Sequence, residues 1–213
     1  MTNRLVLQIN NKCNLNCPFC YVQKGQSEID YKTAKKAVDF FLGNSNAKQY
    51  KNKEIIIMGG EPLLSRLILR KIIIYIRKKY GPLPIIGMPS NLRLLTKQDM
   101  FFFQRLGVKL SWSIYPGWEK IFADKNFLDV HKIKNWLRIK FTVGNSFKEI
   151  REFYDIFLDF RNRGFKYFDA TPVIGYYWRK KSIDLFLKKI RKILTKAKKG
   201  EIKFVRIDDC HNN

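Results

Sequence analysis

The chain has 213 residues, enough for one domain with a substantial hydrophobic core. Hydrophobic residues make up 46%, which argues against disorder, and four cysteines, three of them clustered, do not make a disulfide scaffold. Lysine and arginine number 42 against 18 aspartates and glutamates, a net charge of +24. This fits either an acidic partner or a composition drifted toward Lys, Ile, Asn and Phe. Because the charges are spread along helices and not gathered in one block, the second reading is favoured over a nucleic-acid patch.

The elements follow one another as short apolar runs and amphipathic stretches. Strands are expected over Leu5–Ile9, Glu54–Met58, Pro84–Met88, Val108–Ser113, Ile139–Val143, Lys166–Ala170 and Ile202–Ile207. Their continuous apolar character suits parallel strands covered on both faces. Helices fit between them at Tyr31–Gly43, Ser65–Tyr80, Thr96–Leu106, Trp118–Leu137, Phe147–Gly164 and Ser182–Lys199. The last is the clearest. Ile183, Leu187, Ile190, Leu194 and Ala197 recur at helical spacing, and Gly200 ends it. Thr96 is placed to cap the third helix, and Gly107 follows its end. The pattern predicts an α/β fold, a partial (βα)6 TIM-like barrel of parallel strands with a closing C-terminal strand. It forms a single domain over residues 1–213, a curved sheet or open barrel.

No run is long enough to span a membrane; Ile55–Gly60 is among the longest apolar runs. The start, MTNRLVLQIN, lacks the basic-then-apolar order of a leader. The expected location is the reducing cytoplasm.

In such sheets the ligand site gathers at the C-terminal ends of the strands. The first end carries Cys13, Cys17 and Cys20, the second Met58-Gly59-Gly60-Glu61-Pro62, the third Ser90-Asn91-Leu92-Arg93-Leu94-Leu95. Ser111 and Ser113 belong to the fourth, Thr142-Val143-Gly144-Asn145 to the fifth and Asp169-Ala170-Thr171-Pro172 to the sixth. Three thiolates on a tight loop suit zinc or an iron–sulfur cluster. Structural zinc takes four protein ligands, and the candidates for a fourth, Cys210, His211 and His131, are all distant in sequence. On a four-iron cluster, three thiolates leave one iron open, and an open coordination site usually means chemistry. Gly59 and Gly60 form a plain turn or let a backbone approach a ligand closely. Glu61 and Pro62 would stiffen that turn and hold a carboxylate at its lip, which suits an ammonium group. Ser90, Asn91 and Ser113 suit ribose hydroxyls or a carboxylate.

The segment Cys13-Asn-Leu-Asn-Cys17-Pro-Phe-Cys20-Tyr21 resembles the signature of the radical SAM superfamily. Gly59-Gly60-Glu61-Pro62 and Ser90-Asn91-Leu92-Arg93-Leu94-Leu95 fall where that superfamily has matching segments. The resemblance spans nearly the whole chain. It implies that Cys13, Cys17 and Cys20 hold a [4Fe–4S] cluster and that S-adenosylmethionine fills the open iron. Phe19 would lie by the adenine. Gly59, Gly60 and Glu61, with Pro62 beside them, would meet the methionine ammonium, and Ser90, Asn91 and Ser113 would serve ribose and carboxylate. One electron would cleave the sulfonium to methionine and a 5′-deoxyadenosyl radical, which takes hydrogen from a substrate.

The cysteine loop most resembles ribosomal-peptide and sulfatase maturases, which implies a peptide or protein substrate, possibly acidic, and an electron donor such as flavodoxin or ferredoxin. Those relatives often carry Ser-x-Asp-Gly after the fourth strand; here the stretch is Ser113-Ile114-Tyr115-Pro116-Gly117. They also often carry a cysteine-rich C-terminal extension, whereas this sequence has only Cys210 there. Cys210 reads as an ordinary thiol, the first ligand of a missing extension, or a hydrogen donor to substrate. His131 reads as a surface or core histidine. The loop Gly175-Tyr-Tyr-Trp178-Arg-Lys-Lys181 could grip a peptide, stack on a base, or simply cover the barrel's open side. Competing readings are a glycyl-radical-enzyme activase, a nucleotide- or RNA-modifying relative, and a basic nucleic-acid-binding module with a structural metal.

Overall fold

The computed structural model describes residues 3–43, 47–115 and 137–207. The expected helix over Trp118–Leu137 lies outside them except for Leu137, as do His131, Cys210 and His211. The chain divides into two compact units, Met1–Ser111 and Trp112–Asn213.

In the first unit the order is β1 (Arg4–Gln8), α1 (Tyr31–Gly43), α2 (Ala47–Tyr50), β2 (Glu54–Met58), a 3-10 turn (Pro62–Ser65), α3 (Arg66–Tyr80), β3 (Ile85–Ser90) and α4 (Lys97–Arg105). β4 (Val108–Ile114) runs across the division. β1 pairs with β2 in parallel from Arg4 opposite Glu54 to Gln8 opposite Met58, and β2 pairs in parallel with β3. Parallel neighbours require a crossover, and the amphipathic helices supply it. Ile55 and Ile57 of β2, Ile86 and Met88 of β3, and Leu69, Ile72 and Ile76 of α3 are buried. α4 begins in a capping box: Thr96 Oγ1 accepts from the Asp99 N–H at 3.1 Å, and the Asp99 carboxylate accepts from the Thr96 N–H at 3.1 Å.

Asp39 ties α1 to the end of α3. Its Oδ1 accepts from Tyr80 Oη at 2.6 Å, from Lys79 Nζ at 3.0 Å and from the Tyr75 hydroxyl. Burial alone would raise its pKa, but those hydrogen bonds outweigh it and bring the carboxyl down from 3.8 to about 2. A depressed carboxyl stabilises the fold above its unfolded pKa, and the benefit is lost as pH falls through the folded value. Asp39→Asn should therefore lower the melting temperature at neutral pH. The gap from wild type should close between about pH 4 and pH 2, which thermal melts across that range will read.

In the second unit, β5 (Arg138–Val143), α5 (Phe147–Asn162), β6 (Tyr167–Pro172), α6 (Lys180–Lys198) and β7 (Lys203–Ile207) alternate. β5 pairs with β6 and β6 with β7, all parallel, with an irregularity between Phe168 and Asp169. The core is aromatic. Phe157 meets Phe168 edge-on at 4.8 Å, Phe141 meets Phe153 at 5.1 Å, and Trp112 meets Phe160 at 5.2 Å. α5 starts in a second capping box, Ser146 with Glu149. Positive φ at Gly107 and Gly200 lets the chain turn away after α4 and α6.

The predicted strands and helices other than Trp118–Leu137 are present, with ends shifted by at most two residues. β3 runs on to include Pro89 and Ser90; its pairing with β2 ends at Gly87, so Pro89 lies beyond that ladder. Among the described residues no helix is long and apolar enough to cross a membrane.

Candidate functional site

The backbone pairing of β1 with β2 continues past the strands. Ile9 N–H donates to Met58 O at 2.7 Å, Gly60 N–H to Asn10 O at 3.2 Å, and Glu61 N–H to Lys12 O at 2.7 Å. The Gly-Gly-Glu turn is thus bonded to the residue before Cys13. The glycines are what allow it. A Cβ on Gly59 would stand 2.3 Å from Asn10 Oδ1, and one on Gly60 would stand 2.3 Å from Lys12 O and 3.0 Å from Cys13 Cβ. The close approach that the sequence suggested is, in this chain, first an approach to the root of the cysteine loop.

That loop is closed at its base. Asn11 N–H donates to Ser27 O at 3.2 Å, Ser27 N–H to Asn11 Oδ1 at 2.8 Å, and Ile29 N–H to Ile9 O at 2.9 Å. Lys24 crosses it, donating to Asn16 Oδ1 at 2.6 Å and to the Leu15 carbonyl. Within it Cys20 N–H donates to Cys17 O at 3.1 Å, a turn that puts the last two cysteines on adjacent corners.

Cys13, Cys17 and Cys20 are free thiols, each partly exposed. Among the described residues, no three thiol, imidazole or carboxylate groups come together as they would around one metal ion. Three thiols on one short loop are a donor set that a polynuclear cluster accepts, each on its own iron. Burial raises the Cys17 pKa, and the negative charges of Cys20 and Cys13 raise it further, while Lys24 lowers it. A Cys17 thiol held protonated by burial is one whose deprotonation bound iron would drive. The residues present therefore fit the cluster.

Behind the turn lies Glu61, 1% exposed. Its carboxylate is not held out at a lip. It accepts from Ser90 Oγ at 2.7 Å, Asn91 N–H at 2.8 Å and Leu63 N–H at 3.0 Å. Desolvation still raises its pKa, with those donors and Arg66 opposing. The reason for the inward turn is the row of donors at the end of β3 and in the 3-10 turn, which pattern alone does not reveal. Pro62 opens that 3-10 turn and is buried. Ser90 Oγ also accepts from Leu92 N–H at 3.0 Å, and Leu92 carries a positive φ of 58°. Asn91 Nδ2 donates to Asn14 Oδ1 at 2.9 Å, joining the end of β3 to the cysteine loop. Phe19 is half-buried in that loop.

Sequence reasoning missed three supports. Asn10, 3% exposed, joins the turn through its side chain. Asp99, 1% exposed, holds Arg66 Nε at 3.1 Å and Arg70 at 2.8 Å, and Arg66 in turn caps the Leu63 carbonyl at 3.1 Å. The signal for Asp99 was available as the Thr-x-x-Asp box at 96–99; nothing in the pattern marked Asn10.

In the second unit Ser113 is half-buried on β4. Tyr115 donates its hydroxyl to Glu149, whose carboxylate packs where a Cβ on Gly144 would stand. The two aromatics of the loop after β6 have different places. Trp178 donates Nε1–H to Val173 O at 3.0 Å and leans on Phe186 at 5.6 Å, whereas Tyr177 is 82% exposed. Trp178→Ala should lower the melting temperature. Tyr177→Ala should leave stability within about 0.5 kcal/mol and weaken substrate binding alone. Parallel thermal melts and substrate titrations separate the two.

Solved structures of the same fold include Streptococcus suis SuiB, at a TM-score of 0.67 and 15% identity, covering 98% of this chain and 50% of SuiB. Native anSMEcpe with bound AdoMet and Cp18Cys peptide superposes at 0.74 and 16% identity, covering 93% of this chain and 61% of that one. The uncharacterized protein MJ0907 of Methanocaldococcus jannaschii is 36% identical over 112 residues, 52% of this chain and 37% of that protein. The chain thus spans about half the length of the relatives it matches, from 37% to 61%. The fold is the partial α/β barrel of these neighbours. Residues 7–114, the stretch that carries the three thiols, the double-glycine turn and the Ser90-Asn91 brace, match the family described as the radical SAM superfamily. The chain therefore belongs to the radical SAM superfamily, which implies a [4Fe–4S] cluster and S-adenosylmethionine as its cofactors.

Proposed function

We propose that this enzyme modifies a peptide or protein by hydrogen abstraction. The observation that carries the proposal is the bonding of the three-thiol loop to the Gly59-Gly60 turn, which supports reading the thiols and the turn as parts of one site. When bound, the cluster and S-adenosylmethionine supply a 5′-deoxyadenosyl radical through one-electron cleavage of the sulfonium. Cys13, Cys17 and Cys20 hold the cluster. Gly59 and Gly60 offer bare backbone to the methionine ammonium. Glu61 and Pro62 stiffen that turn from behind, and the Glu61 charge lies within the first unit near the same end. Phe19 lies by the adenine, and Ser90, Asn91 and Ser113 serve ribose and carboxylate. The residues' task is to bind, orient and exclude water, since the cofactors carry the hard step.

Support for a peptide substrate comes from neighbours described as bound to peptides: anSMEcpe with Cp18Cys peptide and SuiB with precursor peptide SuiA. Exposed Ile174, Tyr176 and Tyr177 offer apolar surface for such a chain. The electron comes from a low-potential donor such as flavodoxin or ferredoxin, in a reducing cytoplasm.

The test is a product assay. Anaerobically reconstituted, reduced protein is incubated with S-adenosylmethionine and peptides encoded beside its gene. Release of 5′-deoxyadenosine with a change in peptide mass is expected. Release without any peptide change, together with modification of a nucleotide or RNA, would move the substrate to that class.

A further inference from the structure

Asn10 stands at the end of β1, three residues before Cys13, and is 3% exposed. A buried primary amide must satisfy two donors and one carbonyl, and here each contact reaches a different part of the site. Nδ2 donates to Glu61 O at 3.1 Å and to Ser65 Oγ at 2.7 Å, and Oδ1 accepts from Gly60 N–H at 3.1 Å. Glu28 sits across an isolated bridge from Asn10 and pairs with Lys12 at 3.3 Å. Gly60 N–H can only donate, so it faces Oδ1 and fixes which way the amide points. Gly59 completes the fit, because any Cβ there would meet Asn10 Oδ1 at 2.3 Å.

One side chain thus reads the position of the Gly59-Gly60-Glu61 turn and, through its own backbone, carries the cysteine loop. We propose that Asn10 is a positioning residue that sets the spacing between the thiols and the turn, and through it the affinity of the loaded enzyme for S-adenosylmethionine. The inference rests on the functional reading above, in which that turn meets the methionine end of the cosubstrate.

The spacing argument separates two effects. The thiols are retained when Asn10 is changed, so the iron set can still assemble. The turn, however, loses its reference point. Asn10→Asp keeps the shape and the acceptor for Gly60 N–H but presents an acceptor to the Glu61 carbonyl, where a donor was. Asn10→Ala removes both contacts.

The experiment uses the full chain, anaerobically reconstituted and reduced. Iron per chain is measured, and S-adenosylmethionine is titrated against the cluster's electron paramagnetic resonance signal without turnover. Asn10→Asp should keep wild-type iron content and weaken the cosubstrate's binding by about tenfold to a hundredfold. KM for S-adenosylmethionine should rise by more than kcat falls. Asp39→Asn serves as the control, since it loosens the same unit at the α1–α3 contact, away from the turn. It should lower the melting temperature and leave the titration unchanged. Binding within twofold of wild type in folded Asn10→Asp would overturn the role of Asn10, as would equal weakening in Asp39→Asn at matched loss of melting temperature. A wild-type protein that holds the cluster but gives no spectral response to S-adenosylmethionine would overturn the functional reading itself, and the Asn10 role with it.

Discussion

Cys17→Ala should abolish both iron loading and release of 5′-deoxyadenosine while leaving the protein folded. Wild type is expected to hold about four irons per chain after anaerobic reconstitution. With only Cys13 and Cys20 left, two irons of a cube lack protein ligands, and the assembly has no stable mooring. The fold should survive because the thiol adds little to the core. Cys17 is partly exposed and the loop is closed by the Asn11–Ser27 and Ile9–Ile29 backbone bonds, which do not involve sulfur. Iron analysis, the cluster's absorption and a thermal melt on the same sample make the comparison. Retention of iron by the variant would point to a side chain elsewhere as a ligand, and the idea of an iron left open for the cosubstrate would fall.

Gly60→Ala should do nearly as much damage without removing any ligand. The new methyl would lie 2.3 Å from the Lys12 carbonyl oxygen and 3.0 Å from Cys13 Cβ. The nearest obstacle is backbone, which cannot swing aside as a flexible side chain would. Either the turn or the root of the cysteine loop must shift, at a cost of about 1–3 kcal/mol in stability. A displacement near 1 Å at reacting groups costs on the order of a hundredfold in rate. Loss of 5′-deoxyadenosine formation is expected with a smaller loss of iron. Gly43→Ala provides the contrast, since nothing lies within 4 Å of a Cβ built there and its φ is not positive. It should stay at wild-type activity and stability, or gain slightly. Equal activity in the Gly60 and Gly43 variants would show that the turn tolerates a side chain and has no part in spacing the site.

Much of this site could be read from the sequence because its parts are covalent or local. The thiol spacing is visible as letters, the double glycine falls at a strand end, and parallel strands bring successive ends to one rim. What sequence did not show was direction. Glu61 reads as an exposed carboxylate beside a turn, yet Ser90 and Asn91, twenty-nine and thirty residues on, draw it inward. Asn10 looks like one asparagine among many, and only the pairing of β1 with β2 makes it a junction. Trp178 and Tyr177 are adjacent and aromatic, so composition treats them alike. One finds Val173 O and Phe186 while the other finds solvent. The charge of +24 told least, since a net count carries no information on where a partner would sit.

The clasp between Asn11 and Ser27 makes the cysteine segment a cassette with its own neck. β1 and α1 are joined below that neck by the Ile9–Ile29 bond, so the stretch above it can be exchanged without unravelling either. A transplanted insert would need an amide at the first neck position and a glycine where Gly25 now passes 2.7 Å from the Asn11 side chain, measured to a Cβ placed there. It would also need a carbonyl at the Lys12 position to accept from Glu61 N–H and a partner for Asn91 at the Asn14 position, so neck and turn together set what a foreign metal-binding segment must match.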